Sequence, residues 1–183
     1  FYDLNGDEIE KETTEIKWDA EAAEKAGFEH FMMKEIYEQP KAIRDTLNSV
    51  VKDGVIDFTD IDITEEEIKK YSQIYIVACG SAWHVGVEAQ YVIEELAQIP
   101  VRVELASEFR YREMPLVKDG LVIVISQSGE TADTLAAMRM AKDKGLATLA
   151  VVNVIGSSIA READKVFYTL AGPEISVATT KGY

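Results

Sequence analysis

The feature that most constrains the fold is a set of unbroken apolar runs in the second half of the chain. Three are clear, Ile74–Ala78, Leu121–Ile125 and Thr148–Val152, and two weaker candidates are Val101–Leu105 and Val166–Leu170. Because successive side chains of a strand point to opposite faces, a run without polar alternation predicts a strand buried on both faces. Strands of this kind are typical of a parallel sheet.

Helical patterns separate these runs, at about residues 82–97, 131–144 and 157–163. Alternation of strands and helices predicts βαβ units, and therefore an open sheet with helices on both faces. In such sheets ligands bind beyond the carboxyl ends of the strands. The loops that follow the strands are therefore the candidate binding segments.

The first part of the chain has a different character. Residues 1–27 are polar and acidic around a small apolar element at Ile16 and Trp18, and we expect them to form a linker or an arm. From Phe28 to about Val51 apolar residues recur at three- and four-residue steps, which predicts helical structure. Pro40 is expected to divide this stretch into two helices or to kink a single one. Neither end of the chain resembles a natural terminus, so we expect a piece of a longer protein.

Charge and composition exclude several classes of function. The chain has a formal net charge of −14, and residues 1–70 hold 20 acidic against 9 basic side chains. Non-specific nucleic-acid binding is therefore not expected, since it needs Lys and Arg to neutralise phosphates. No run approaches the roughly 20 apolar residues of a membrane span. With one cysteine and two histidines, we expect no disulfide, no metal site, no cofactor and a reducing, cytoplasmic location.

The loop after Leu121–Ile125 is the most informative binding segment, and it reads Ser126-Gln127-Ser128-Gly129-Glu130-Thr131. A helix N-terminus carries unpaired N–H groups and a partial positive charge, so it attracts phosphate. The hydroxyls and the carboxamide add neutral donors, and Gly129 allows the backbone to approach closely. A single N-cap accounts for one hydroxyl but not for three, so the loop as a whole predicts an anion site.

Two other loops are weaker candidates for a binding segment. In the loop after Ile74–Ala78, Gly80 and Ser81 fit anion binding and also ordinary turn and cap chemistry, and Cys79 is typical of a small buried side chain. In the last loop, Glu174 fits a sugar hydroxyl or a cap for a helix beginning near Ser176. Lys181, at its end, fits either an anion contact or a solvated surface position.

Together these motifs resemble the sugar isomerase (SIS) domain family, and within it the isomerase half of the glutamine–fructose-6-phosphate amidotransferase family. The similar segments are Trp18–Pro40, Ala106–Arg112, Ser126–Leu135 and Val177–Lys181. The resemblance implies a three-layer α/β/α sandwich with a parallel, flavodoxin-like sheet, preceded by N-terminal helices. It also implies that residues 1–27 lead from an upstream glutaminase domain. Residues 28–183 would then form the first SIS domain, cut before a second one.

The ligands that the resemblance implies are fructose 6-phosphate and glucosamine 6-phosphate. It implies sugar-phosphate contacts from Ser81, Ser126, Gln127, Ser128, Thr131, Val177 and Thr179. Further candidate contacts are Gly80, Ala82, Gly129, Glu174 and Lys181. Ala82 departs from the family pattern, because many members carry a hydroxyl there, and one side-chain contact is then lost.

The family's isomerase catalysts lie in the second domain and a C-terminal tail. The resemblance therefore implies that this chain supplies half a pocket and no catalytic group. It also implies a homodimer, with Phe28–Val51 or Glu108–Arg112 as contact surfaces. A second hypothesis is a sugar-phosphate-sensing module of a transcriptional regulator with the same fold. That would require a basic helix-turn-helix upstream, which the acidic residues 1–70 disfavour.

Overall fold

A computed structural model of the chain describes residues 1–10 and 23–183. The expected apolar element at Ile16 and Trp18 lies outside the described residues. The helices are α1 (Phe31–Val50), α2 (Glu65–Ile68), α3 (Gly80–Ala97), α4 (Ala106–Phe109), α5 (Ala132–Asp143) and α6 (Ser158–Glu162). The strands are β1 (Val51–Lys52), β2 (Val55–Ile56), β3 (Gln73–Ala78), β4 (Val101–Leu105), β5 (Gly120–Ser126), β6 (Ala147–Val152) and β7 (Lys165–Tyr168).

The main sheet has five parallel strands in the order β4-β3-β5-β6-β7. Numbered by appearance, this is the 2-1-3-4-5 order of flavodoxin-like sheets. All five apolar runs are strands of this sheet, so the predicted parallel α/β architecture is confirmed. The small antiparallel pair β1–β2 lies outside it.

Each apolar run supplies both faces of the sheet. Within β3, Tyr75 and Val77 point toward a cluster that includes Phe109 of α4 and Met138 of α5. Their neighbour Ile76 points the opposite way, into a second cluster lined by α3. Helices therefore cover both faces, and the three-layer expectation is confirmed. Burial on both sides is why the runs of the inner strands β3, β5 and β6 show no polar alternation, whereas the edge strand β4 includes Arg102 and Glu104.

α1 is a single helix that includes Pro40, so the division into two helices is wrong. A proline inside a helix removes the hydrogen bond to the carbonyl four residues earlier, here that of Ile36. Both Pro40 and Ile36 are exposed, so water can take the place of the missing donor.

The orientation of α1 is the reverse of an ordinary amphipathic helix. Its buried residues are Lys34, Glu35 and Ala42. Several of the apolar residues that predicted the helix are exposed instead, with Ile36 at 44% and Ile43 at 58% of their full accessibility. A helix normally turns its apolar side to the core. In this chain α1 packs through a polar side.

Among the described residues, no helix combines the length and apolar character that crossing a bilayer requires.

Candidate functional site

A cavity opens beside the main sheet where β3 and β5 end. The chain leaves β3 through α3 toward one edge of the sheet, and leaves β5 through α5 toward the other edge. This divergence creates a crevice at the carboxyl ends of the two strands. The cavity there has a volume of about 390 Å³. It is lined by Cys79, Gly80, Ser81, Ala82, Ile125, Ser126, Gln127, Ser128, Thr131, Val177, Ala178, Thr179 and Tyr183.

The first wall is the start of α3. Cys79 is the N-cap residue, and its side chain makes no cap hydrogen bond. The first N–H groups of α3 are therefore left without a side-chain acceptor at the edge of the cavity. Gly80 has a φ of 58°, a left-handed conformation that favours glycine. Ala82 is only 6% exposed and packs its methyl group into the cluster beneath α3, so its backbone is the part available to a ligand.

The second wall is the hydroxyl-rich loop before α5. Ser126 Oγ lies 2.9 Å from Thr131 Oγ1 and accepts a 3.1 Å hydrogen bond from the N–H of Gly129. Thr131 is the N-cap residue of α5 but makes no cap hydrogen bond with its side chain. The hydroxyls therefore close the loop on itself rather than cap the helix. The start of α5, like that of α3, has no side-chain cap.

This loop is braced from the segment around α6. Glu130 Oε1 accepts a 2.7 Å hydrogen bond from the N–H of Ser158, and the carbonyl of Gly129 accepts one of 3.0 Å from Ile159. The hydrogen bond from the Ser158 N–H lowers the pKa of Glu130 below its usual value. Gly129 has a φ of 66°, so the tight turn depends on glycine.

The third wall is the irregular segment after β7, and it differs from the expectation. No helix begins near Ser176 in the described part of the chain, so that prediction is wrong. Glu174 turns inward, and its Oε1 accepts hydrogen bonds from the N–H groups of Thr180 at 2.6 Å and Lys181 at 2.9 Å. The carboxylate satisfies backbone donors that a helix would have paired internally.

Lys181 also points away from the cavity. Its Nζ lies 2.6 Å from Glu38 Oε2 on α1, and its side chain is only 3% exposed. Neither Glu174 nor Lys181 lines the cavity, so the structure does not bring these two candidates to the site. The remaining candidates do converge, with Gly129 supporting the loop behind Ser128.

No lining residue of the cavity carries a formal charge. The favourable field for an anion therefore comes from backbone N–H groups, two helix N-termini and neutral hydroxyls. In the described residues, no cluster of three or more His, Cys, Asp and Glu side chains is arranged to hold a metal ion.

Four lining residues were not among the predicted ligand contacts: Cys79, Ile125, Ala178 and Tyr183. Cys79 is half-buried and accepts a 3.8 Å hydrogen bond from Thr134. Tyr183 is deeply packed, and burial, followed by the nearby charge of Glu174, raises the pKa of its hydroxyl. Its signal in the sequence is an aromatic residue directly after a polar loop, which is too common to single it out.

The fold and the cavity together define an α/β domain with a crevice lined by uncharged residues at the switch point of a flavodoxin-ordered sheet. The sequence pattern of the SIS domain family matches residues 67–183, and the chain belongs to that family.

Named relatives make the comparison closer. Glutamine–fructose-6-phosphate aminotransferase (isomerizing) from Clostridium acetobutylicum is 60% identical over the whole chain, and the chain spans 30% of that protein's length. The enzyme of the same name from Caldanaerobacter subterraneus is 58% identical, again over the whole chain and 30% of its own length. The chain thus covers about 30% of the curated relatives that it matches.

A solved structure agrees with both the fold and the sequence. It is the C-terminal domain of glucosamine-fructose-6-phosphate aminotransferase from Francisella tularensis, with a TM-score of 0.83 and 45% identity. The match covers 87% of this chain and 45% of that one.

Proposed function

We propose that this chain is the sugar-phosphate-binding part of the isomerase region of a glutamine–fructose-6-phosphate aminotransferase. That enzyme converts fructose 6-phosphate and glutamine to glucosamine 6-phosphate and glutamate. The observation that carries the proposal is the uncharged cavity between two helix N-termini, in a chain 60% identical to relatives of that name. The hypothesis of a regulator module has less support, because the relatives at 60% and 58% identity are aminotransferases.

The proposed ligand fits the chemistry of the cavity. The phosphate group is assigned to the loop Ser126–Thr131, where the start of α5 and the hydroxyl groups converge. Ser81 and the backbone at Ala82 face it from α3. Val177 and Thr179 close the opposite side, where the sugar hydroxyls would lie. A volume of about 390 Å³ leaves room for a hexose phosphate.

The wider organisation is part of the same proposal. Residues 1–27 serve as the arm from a glutaminase domain, and residues 28–183 are the first of two SIS domains. The isomerase catalysts belong to the second domain, so this chain alone binds without turning over substrate. The protein acts in the cytoplasm as a homodimer, and the exposed apolar side of α1 supports an interface there.

A titration of the 183-residue chain with fructose 6-phosphate, followed by amide NMR, tests the proposal. We expect shifts at Ser126–Thr131, Ser81, Ala82 and Thr179, and none of comparable size with fructose, which lacks the phosphate. Ser128→Ala should weaken binding about tenfold through loss of one hydroxyl donor to a charged group. Ser107→Ala removes a hydroxyl away from the cavity and is the matched control.

The proposal fails if saturating fructose 6-phosphate leaves the Ser126–Thr131 amides unmoved while a dinucleotide shifts them. It also fails if Ser128→Ala and Ser107→Ala bind the sugar phosphate equally well.

A further inference from the structure

The segment from Ile175 to Lys181 forms an arch over one side of the cavity. Its crown, residues 177–179, lines the cavity, and Val177 is fully exposed. No regular secondary structure holds it, since these residues form only bends and irregular backbone. The conformation of the crown therefore depends on the contacts made by the two ends of the arch, residues 175–176 (the first foot) and 180–181 (the second foot).

Carboxylates hold both feet. At the first foot, Glu35 Oε1 accepts hydrogen bonds from the N–H groups of Ile175 at 2.6 Å and Ser176 at 3.2 Å. At the second foot, Glu174 Oε1 accepts from the N–H groups of Thr180 and Lys181. Consecutive N–H groups that converge on one oxygen are the arrangement by which loops bind anions. Here the anions are side chains of the protein itself.

The Thr180 hydroxyl links the two feet. It lies 3.0 Å from Glu35 Oε2 and 3.1 Å from Glu174 Oε1, and a hydroxyl has only one proton to donate. The two carboxylates therefore share this donor. Glu35 thus contacts both ends of the arch, whereas Glu174 accepts N–H groups only at the second foot.

Glu35 reaches the arch from a separate element, the polar side of α1. The residues on this side that contact the segment after β7 follow helical spacing. Glu35 and Glu38 bind the arch, Gln39 donates to the Thr180 carbonyl, and Thr46 accepts a 2.9 Å hydrogen bond from the N–H of Leu170. The reversed orientation of α1 therefore has a specific result, which is to present hydrogen-bonding groups to the loop.

Glu35 is only 1% exposed, but its hydrogen bonds favour the ionised form of its carboxylate. Burial by itself would raise its pKa, but hydrogen bonds from Ser176, Ile175 and Thr180 outweigh burial and hold the pKa below its usual value. An ionised acceptor binds backbone N–H groups more strongly than a neutral one. The negative charge of Glu35 therefore helps to hold the arch in its conformation.

We propose that Glu35 is a positioning residue for ligand binding, which holds the arch of residues 175–181 in the shape that closes the cavity over the sugar. The proposal rests on the proposed function, in which the loop Ser126–Thr131 takes the phosphate and the arch takes the sugar. It makes a specific demand. Loss of the Glu35 charge should weaken binding of a sugar phosphate more than binding of inorganic phosphate, which the arch does not need to enclose.

The test compares the 183-residue chain with two Glu→Gln variants of equal charge change. Glu35→Gln keeps the size of the side chain but replaces one acceptor oxygen by a donor group. Glu66→Gln makes the same change at an exposed position of α2 and is the control. Dissociation constants for fructose 6-phosphate and for inorganic phosphate are measured for all three proteins, together with hydrogen exchange of the Ile175 and Ser176 amides.

We expect Glu35→Gln to weaken fructose 6-phosphate binding about tenfold and phosphate binding by less than about twofold. The Ile175 and Ser176 amides should exchange faster, and Glu66→Gln should match the unsubstituted chain. Equal weakening of both ligands would overturn the proposal, since it would indicate general destabilisation. Unchanged amide exchange would overturn it as well.

The two proposals fail separately. An unsubstituted chain that binds phosphate but not fructose 6-phosphate contradicts the proposed function, while amide exchange still decides whether Glu35 holds the arch. If Glu35→Gln folds poorly, Thr180→Val removes the shared hydroxyl from the loop side. This variant should give the same preference for phosphate over the sugar phosphate, and failure to do so would contradict the role of Glu35.

Discussion

Gly129 sits at the turn of the loop assigned to the phosphate, and a single methyl group there should have two separable costs. Its φ of 66° is left-handed, and placing alanine in that conformation costs about 1–2 kcal/mol. The added Cβ would also lie 2.0 Å from Ser157 Oγ and 2.5 Å from Ser157 Cβ. Relieving such an overlap in a buried site costs about 1–3 kcal/mol. Gly129→Ala should therefore lower the free energy of unfolding by about 2–5 kcal/mol.

Gly156 provides a matched control. It has a similar φ of 73°, but a Cβ added there would have no neighbour within 4 Å. Gly156→Ala should cost only the conformational part, about 1–2 kcal/mol. Adding Ser157→Gly to Gly129→Ala removes the overlapping side chain and should recover the steric part, which a double-mutant cycle measures as coupling.

Urea unfolding with unchanged slopes gives these free energies. Gly129→Ala should also bind fructose 6-phosphate more weakly, because relief of the overlap moves the loop. If Gly129→Ala costs no more than Gly156→Ala, the close contact with Ser157 does not constrain the loop and the reasoning is refuted. Additive effects of Gly129→Ala and Ser157→Gly would refute it equally.

Two further predictions follow from the charges. No charged side chain lines the cavity. The affinity for inorganic phosphate, measured by calorimetry, should therefore fall by less than about threefold between about 20 and about 150 mM salt. A steeper fall would contradict this prediction, because it would mean that a charged side chain binds the phosphate. Asp164 Oδ2 accepts hydrogen bonds from the N–H and hydroxyl of Thr148, but the Asp164 side chain is 42% exposed and solvent screens its charge. Asp164→Asn should therefore cost about 1 kcal/mol of unfolding free energy at pH 7, against almost none for Asp143→Asn, at another exposed position. Burial would raise the pKa of Asp164, but the hydrogen bonds from Lys142 and Thr148 outweigh it and lower the pKa below its usual 3.8. The stabilisation by ionised Asp164 is therefore full above pH 3.8 and is lost as the pH falls through the lower pKa of the folded state. The difference in unfolding free energy between the unsubstituted chain and Asp164→Asn should shrink in acid. A difference that does not change with pH would contradict this role of Asp164.

The sheet could be predicted because its cause is local. The three inner strands, β3, β5 and β6, are buried on both faces, and this burial requires runs of mostly apolar residues such as Leu121–Ile125. The place of Ser126–Thr131 in the wall of the cavity could be predicted for a similar reason, since this loop concentrates more donors than one helix cap requires. Its internal hydrogen bonds could not be predicted, because its conformation depends on the left-handed φ at Gly129 and on hydrogen bonds from Ser158 and Ile159, far along the chain.

The polar side of α1 shows where sequence patterns stop being sufficient. Periodicity identified a helix from the spacing of residues such as Ile36 and Ile43, but it does not state which side of a helix is covered. The covered side contains Glu35, whose partners lie about 140 residues later in the chain. Nothing near Glu35 in the sequence distinguishes it from Glu38 or from an exposed glutamate. The buried position of Lys181 could not be predicted for the same reason, because its partner Glu38 is equally remote in the sequence.

The arch of residues 175–181 also bears on the thermodynamics of association. Fixing the backbone of one residue costs about 1–2 kcal/mol of conformational entropy, and a loop that becomes ordered only on binding subtracts that cost from affinity. Here Glu35 and Glu174 accept hydrogen bonds from the N–H groups at the two ends of the arch, so part of that entropy is already lost during folding. Glu35 and Glu174 thus hold this wall of the cavity in place before binding, so a ligand can dock against a preorganised surface.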